Sequence, residues 1–217
     1  LSALFSVIFL CTHLSFAEEI QQNQINSFEE SKVPITLSLD EKAWIKGHHV
    51  LRIAGPKAFP PFYYFENGGN AKGISADYIK FLAGLHGLEL KQYNNLLWPD
   101  VLEKIKNHEI DIIPCVAKTA ERQEYLTFTD PYLSFPMVII TRSDAPFISG
   151  ALDLTHKNVA FIRENVTYDW LKRDKIATVP FFVNTPLDAL KSVSIGQSDA
   201  YIGNLATCSY LIDKNGL

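Results

Sequence analysis

The stretch from Thr119 to Glu124 places one arginine between two glutamates within about one turn of chain. The guanidinium of Arg122 has a planar fork of N–H donors that can hold a carboxylate through two hydrogen bonds. The alternative is that Arg122 lies on a helix surface and pairs with Glu121 or Glu124. These glutamates could themselves form a catalytic carboxylate pair, although such a pair on a helix is more typical of a solvated face.

The sequence lacks the signatures of the common catalytic and metal sites. It contains no Gly-x-Ser-x-Gly, no phosphate loop ending in Gly-Lys-Ser/Thr, no His-Glu-x-x-His and no Gly-x-Gly-x-x-Gly. His48 and His49 are the only adjacent pair among the six histidines. Adjacent residues do not share one face of a regular element, which favours two surface residues over a metal site. We therefore expect no catalytic residue, no metal and no cofactor.

The composition is that of a folded chain without affinity for nucleic acid. The 217 residues are 47% hydrophobic and include only 11 Gly and 11 Pro, which excludes a disordered chain. Lys and Arg number 20 against 24 Asp and Glu, with no basic run, so we expect no nucleic-acid partner. Of the three cysteines, we expect Cys115 and Cys208 to stay unpaired, because nothing in the pattern requires them to approach within the roughly 7 Å of a disulfide.

The N-terminus has the pattern of a secretory signal peptide. Residues 3–17 are apolar and uncharged, and Ser15 and Ala17 put small residues at the positions preceding a cleavage site. We interpret 1–17 as a signal peptide, with an uncleaved membrane anchor as the alternative, and the polar residues 18–37 as a linker. No second apolar run reaches membrane length. The prediction is a periplasmic or extracellular domain over residues 38–217, which the anchor alternative would tether to the membrane in the full-length protein.

Beyond residue 38 the hydrophobic periodicity alternates between that of helices and that of strands. The alternation predicts an α/β protein with mainly parallel sheets. Glu66–Asn70 has the composition of a hairpin turn. Predicted helices lie near 38–46, 76–85, 98–106, 168–172, 186–195 and 205–212, and predicted strands at 50–54, 88–93, 110–113, 137–141, 159–162, 179–182 and 200–202.

Four spaced motifs resemble those of bacterial solute-binding protein family 3 domains, in the variant found at the periplasmic end of sensor histidine kinases and related signalling proteins. They occur in the family's order and span residues 38–217. They are Leu39–Ile45 with His49 and Leu51–Ile53; Phe59–Phe62 with Gly73, Ile74 and Asp77; Ile110-Asp111 with Thr119–Arg122 and Phe128–Tyr132; and Gly196–Asn204.

The resemblance implies a two-lobed periplasmic-binding-protein (Venus flytrap) fold that closes over a small ligand. The first lobe would comprise about 51–135 plus the returning residues 205–217, and the second lobe about 143–202. Two crossover segments, 136–142 and 203–204, would join them. The family completes its first lobe with later sequence, so we expect the domain to be C-terminally incomplete.

The resemblance also implies a set of ligand-binding residues. Arg122 takes the place of the family's carboxylate-binding arginine, and Phe59 and Trp98 fall where aromatic rings sandwich the ligand. Core packing is the alternative role for both rings. Cys115 and Ala117 stand in a stretch where binders of this family often carry serines that donate to the ligand carboxylate.

Asn204 is the most informative departure from the family's pattern. Amino-acid binders usually carry Asp there to neutralise the ligand's ammonium, and Asn brings no charge. The implied ligand is a carboxylate without a free amine, or a modified amino acid or peptide fragment. Asn165 and Thr167 could add hydrogen-bond donors from the second lobe, with helix N-capping by Asn165 as the alternative.

Three functions are compatible with these residues. The first is the sensory input of a membrane signalling protein, in which a small-molecule ligand biases a membrane-linked module. The second is a free solute-binding subunit that works with an ABC permease. The third is a regulatory domain preceding a lytic transglycosylase domain. The sequence downstream of this domain would discriminate among them.

Overall fold

The computed structural model describes residues 36–66 and 68–217. The predicted signal peptide, most of the predicted linker and Asn67 of the predicted turn lie outside these residues. The chain divides into two units, up to Trp44 and Ile45–Leu217. Among the described residues, no helix combines the length and the hydrophobicity needed to cross a bilayer.

Helix α1 (Leu39–Gly47) begins with the capping box that its sequence predicts. The amide of Glu41 donates to the Ser38 hydroxyl at 3.2 Å, and the amide of Ser38 donates to Glu41 Oε2 at 2.8 Å. These reciprocal bonds satisfy amide donors that a helix start otherwise leaves without a partner. The helix prediction at this position is confirmed.

Residues 50–135, which include the main part of the predicted first lobe, are built on the parallel pair β1 (Val50–Ile53) and β4 (Glu89–Gln92), which helix α2 (Ile74–Leu85) connects. A short antiparallel pair, β2 (Ala58–Phe59) and β3 (Tyr63–Tyr64), lies between β1 and α2. Helix α3 (Trp98–Lys106) packs its apolar face against Ala54 and Ile110. The short helix α4 (Ala120–Gln123) follows.

The strand predicted at 110–113 is wrong, because only one isolated bridge forms there, between Ile53 and Ile112. The carboxylate of Asp111 accepts the Arg52 amide at 2.8 Å, which a regular ladder would have paired with a backbone carbonyl. The amides of Asp111 and Ile112 both donate to the Arg52 carbonyl. The side chain of Asp111 therefore replaces part of the ladder.

Residues 137–204, which include the predicted second lobe, contain a four-stranded sheet. Its strands neighbour one another in the order β5 (Met137–Ile140), β8 (Ala200–Asn204), β6 (Asn158–Ile162) and β7 (Val179–Val183). Strand β5 runs antiparallel to β8, and the other two pairs are parallel. The prediction of mainly parallel strands is thus confirmed, with one antiparallel edge. The elements are β5 (Met137–Ile140), the 3-10 helix Ala151–Leu154, β6 (Asn158–Ile162), α5 (Val166–Arg173), β7 (Val179–Val183), α6 (Pro186–Ser194) and β8 (Ala200–Asn204), followed by α7 (Leu205–Asn215).

Alternation along β6 covers both faces of this sheet with core. Val159 and Phe161 point into a cluster with Leu171 of α5, whereas Ala160 points into a cluster that α6 and α7 complete. Gly203 of β8 lies against the second cluster so closely that an added Cβ would stand 2.5 Å from Tyr201 Cε1 and 2.6 Å from Cys208 Sγ. Only a residue without a side chain fits there.

Helix α7 contacts both lobes. Cys208 and Leu211 belong to a core cluster of the second lobe. At the other end of the helix, Lys214 Nζ donates to Glu66 Oε1 at 3.0 Å, on the segment that follows β3. The assignment of 205–217 to the first lobe stays a prediction.

Candidate functional site

The site is built where the two lobes meet, from the start of α3, the short helix α4 and the loop after β6. Trp98 is the first residue of α3, whose start is fixed by a 3.0 Å hydrogen bond from the Leu97 amide to the Asp100 carboxylate. The Thr119 hydroxyl caps α4 by accepting the amide of Arg122 at 3.2 Å. These local caps hold Trp98 and Arg122 on the same side of the first lobe, with the Arg122 guanidinium 5.3 Å from the centre of the Trp98 ring.

The Arg122 side chain is buried, with 6% of its surface exposed. Its Nη1 donates to the Ala117 carbonyl at 3.0 Å, and its Nη2 donates to the Glu164 carbonyl at 3.1 Å. No ion pair joins Arg122 to a carboxylate within the described part of the chain, so the alternative of surface pairing with Glu121 or Glu124 is wrong. Burial lowers the pKa of the guanidinium from its ordinary value, because the charged form loses its water.

Trp98 has the core-packing role that its sequence left open as the alternative. Its ring is 9% exposed and belongs to the core cluster of the first lobe. Its Nε1–H reaches out of that core and donates to the Glu164 carbonyl at 3.0 Å. Core packing of Trp98 is therefore observed, and its contact with a ligand stays a prediction.

Sequence reasoning missed Glu164. Its carbonyl, not its side chain, makes the contacts, and it adopts a left-handed conformation with φ of 58°. Such conformations are commonly signalled by Gly or Asn, and a glutamate gives no such signal.

Phe59 is half-buried on β2, with its ring centre 5.1 Å from that of Phe62. Phe62 in turn packs edge-on against Phe135 at 4.9 Å. No ring contact or hydrogen bond joins Phe59 to Arg122 in the residues that the structure describes. The structure therefore places Phe59 in an aromatic cluster, and its sandwiching role stays a prediction.

Cys115 and Ala117 offer no side-chain hydroxyl to a ligand. Ala117 instead presents its carbonyl to Arg122. The partly buried thiol of Cys115 interacts with the Ser75 hydroxyl, and burial raises its pKa to about 12. The Ser75 hydroxyl is also hydrogen-bonded to the Tyr132 hydroxyl at 2.8 Å. Both cysteines of the described chain are free thiols.

Asn204 and Asn165 both act as helix caps. Asn204 Oδ1 accepts the amides of Ala206 at 3.0 Å and Thr207 at 3.3 Å at the start of α7. Asn165 Oδ1 accepts the amide of Thr167 at 3.2 Å at the start of α5, so the capping alternative is observed. Because these oxygens are occupied, each side chain retains mainly its amide N–H groups for a ligand. Thr167 itself is buried.

The combined chemistry of the site is that of hydrogen-bond donation. The structure brings together a buried guanidinium and an aromatic ring, those of Arg122 and Trp98, and this pair suits an anionic small molecule. That the side-chain amides of Asn165 and Asn204 belong to the same site stays a prediction. Across residues 36–66 and 68–217, no group of three or more His, Cys, Asp and Glu side chains is arranged to hold a metal ion.

Residues 51–202 match the profile of the bacterial extracellular solute-binding proteins, family 3. This chain belongs to that family. It is 27% identical to the virulence sensor protein BvgS of Bordetella pertussis over 177 residues, which cover 82% of this chain and 14% of BvgS. It is 23% identical to a probable histidine-binding protein of Neisseria gonorrhoeae, covering 76% of this chain and 63% of that protein.

The crystal structure of the periplasmic VFT2 domain of B. pertussis BvgS has the same fold, with a TM-score of 0.70 and 26% identity. The superposition covers 83% of this chain and 77% of that domain. The expected two-lobed Venus flytrap fold is therefore confirmed. This family 3 chain is similar to periplasmic sensor domains and to amino-acid-binding proteins, and it spans only a small part of the sensor relative's length.

Proposed function

We propose that this family 3 domain is the sensory input of a membrane signalling protein and that it binds a small carboxylate in the periplasm. The observation that carries the proposal is the buried guanidinium of Arg122, which donates to the neutral carbonyls of Ala117 and Glu164 where the lobes meet and has no carboxylate among its described ion-pair partners. A buried cation without a carboxylate partner is poorly compensated, and a ligand carboxylate would supply the missing charge.

The guanidinium retains donors for such a ligand. It has five N–H donors, of which the carbonyls of Ala117 and Glu164 take one each. The Trp98 ring beside it adds an apolar surface for the ligand's carbon atoms. Because Asn204 Oδ1 is occupied by two amides, it is a poor acceptor for a ligand ammonium. These contacts favour an acid that lacks a free amine.

A thermal-shift screen of matched acids tests this specificity. Each pair would share one carbon skeleton and differ in the α-ammonium, as 2-oxoglutarate and glutamate do. We expect the acids without the ammonium to raise the melting temperature more than their amino counterparts. Equal shifts for both members of every pair would contradict the donor-only assignment of Asn204.

Calorimetric titration of Arg122→Ala with the best acid tests the carboxylate site itself. Removing one member of a buried charge pair costs about 2–5 kcal/mol, which corresponds to a loss of affinity of roughly 30-fold or more. Arg122→Lys should restore little, because an ammonium lacks the planar fork. Arg173→Ala is the matched control, since Arg173 is 70% exposed and pairs only with its neighbour Asp174 among the described residues. Unchanged affinity in folded Arg122→Ala would overturn the proposal.

A free solute-binding subunit of an ABC importer is the second candidate. The similarity to the probable histidine-binding protein, of which this chain covers 63%, favours it. The complete gene distinguishes the two candidates. A membrane span followed by a kinase module would support the sensor, and a stop codon soon after the domain would support the importer.

A further inference from the structure

We propose that the backbone carbonyl of Glu164 is a latch that holds the two lobes closed through protein contacts alone. The latch consists of this carbonyl and its two donors, Trp98 Nε1–H at 3.0 Å and Arg122 Nη2–H at 3.1 Å. Both donors belong to the first lobe and the acceptor belongs to the second. The proposal goes beyond ligand binding, because it concerns the open–closed equilibrium of the free protein.

The carbonyl oxygen of Glu164 accepts as many hydrogen bonds as it has lone pairs. A carbonyl oxygen has two lone pairs, and here each receives one donor. One of these bonds is assisted by the guanidinium charge, which makes it stronger than a bond between neutral groups. Trp98 and Arg122 are 9% and 6% exposed, so little water competes for the donors.

The loop that carries the carbonyl is held on both sides. Before Glu164, the amide of Arg163 donates to the Val183 carbonyl at 3.1 Å, which continues the pairing of β6 with β7. After it, the amide of Asn165 donates to the Ile162 carbonyl at 3.1 Å, and Asn165 caps α5. The flanking elements therefore impose the left-handed conformation of Glu164. In this conformation the carbonyl of Glu164 points toward the first lobe.

The latch stabilises the closed state before any ligand contact is made. In the simplest binding protein, the ligand supplies the contacts that favour the closed state over the open state. Here part of that preference is built into the chain. Because the latch takes only one of the five guanidinium donors, the closed state and a bound carboxylate are compatible.

Single-molecule FRET without any added ligand tests the latch. One dye is placed on the first lobe at Lys80→Cys in α2, and the other on the second lobe at Leu152→Cys, where the native side chain is 76% exposed. The free protein should be mainly in the high-transfer, closed state. Trp98→Phe keeps a ring but removes one donor, and the ratio of open to closed molecules should rise about two- to tenfold.

Glu164→Pro tests the carbonyl itself. Proline fixes φ near −65°, which turns the carbonyl away from both donors, and the Glu164 amide makes no hydrogen bond in the described structure that proline would remove. The open-to-closed ratio should rise more than about tenfold, since both bonds are lost.

Two matched variants serve as controls. Glu164→Ala keeps the backbone carbonyl and changes only an exposed side chain. Trp170→Phe removes a partly buried indole whose N–H makes no hydrogen bond in the part of the chain described. Both should retain the closed population of the unmodified protein, and a melting curve verifies that each variant is folded.

A mainly open free protein, or folded Trp98→Phe indistinguishable from Trp170→Phe, would overturn the latch. Should Glu164→Pro fail to fold, the comparison of the two tryptophan variants decides alone. Loss of the carboxylate thermal shift would count against the proposed function and leave this result unaffected, because the FRET measurement contains no ligand.

Discussion

Replacing Asn204 separates helix capping from ligand recognition. Asn204→Ala removes one good and one long hydrogen bond to the amides at the start of α7, at 3.0 and 3.3 Å. Loss of a cap costs about 1 kcal/mol, within a range of about 0.5–2. For a protein of this size that lowers the melting temperature by about 2–4 °C. Asn204→Asp keeps the acceptor and adds a favourable negative charge at the helix start, so its melting temperature should not fall.

The same two variants should differ in ligand binding. Asn204→Asp exchanges the amide donors for a second carboxylate oxygen, which repels an anionic ligand and attracts an ammonium. At an effective dielectric constant of about 20, two unit charges interact by about 4 kcal/mol at about 4 Å and by half of that at twice the distance. The affinity for an acid without an amine should therefore fall by tenfold or more, while that for the matched amino acid rises.

Calorimetric titration with 2-oxoglutarate and with glutamate measures both changes, and a melting curve measures the cap. Thr185→Ala is the matched control, because the Thr185 hydroxyl caps α6 by accepting the Asp188 amide at 3.2 Å, and Thr185 is not among the predicted ligand-binding residues. It should lower the melting temperature without changing the preference between the two ligands. An unaltered preference in Asn204→Asp would refute the placement of Asn204 at the ligand.

Three further predictions concern stability and reactivity. Gly203→Ala should destabilise the fold by about 1–3 kcal/mol in urea unfolding, because its Cβ would collide with the core around Cys208. Arg52 lowers the pKa of the Asp111 carboxyl, so this pair contributes stability above the ordinary aspartate pKa of about 3.9 and loses it as the pH falls through the lowered value. The stability difference between the unmodified protein and Asp111→Asn should accordingly shrink on acidification. Burial raises the pKa of the Cys115 and Cys208 thiols to about 12, so iodoacetamide should label them slowly at pH ~8 in the folded protein and rapidly in urea.

Each of these predictions has a clear contrary result. Gly84→Ala is the control for the glycine variant, because Gly84 lies in α2 with open space around it and alanine should stabilise that helix. Equal stability of Gly203→Ala and Gly84→Ala would contradict the close packing. A constant effect of Asp111→Asn across the acid range would contradict the ion pair. Equally fast labelling of folded and unfolded protein would contradict the burial of the thiols.

The elements with long periodic patterns are predictable from the sequence, and those set by side-chain competition are not. The helix predicted at 98–106 has those bounds in the structure. The strand predicted at 110–113 has the right hydrophobic pattern, but the carboxylate of Asp111 takes the amide that the ladder needs. The strand propensity of a segment cannot predict this contact, because Asp111 and Arg52 are 59 positions apart in the chain.

The residues of the candidate site also divide into those that the sequence predicts and those that only the structure shows. Arg122 and Trp98 are recognisable from their residue types within a family motif, and the structure brings them together. The sequence leaves two roles open for Asn165, ligand binding and helix capping, and the capping role is seen only in the structure. Glu164 could not be found, because any residue supplies a backbone carbonyl and its direction depends on how β6 ends and α5 begins.

The pairing of β5 with β8 has a consequence for how the lobes move. The predicted crossover 136–142 contains β5, and β8 leads to α7, with Met137 opposite Asn204 at one end of the pair. The two strands are hydrogen-bonded neighbours, so they form a ribbon and not two independent tethers. A ribbon bends readily across its flat face and resists shear along its length, because shear would break the ladder. We therefore expect the lobes to open by a rotation that leaves the β5–β8 ladder intact, and not by sliding of one strand along the other.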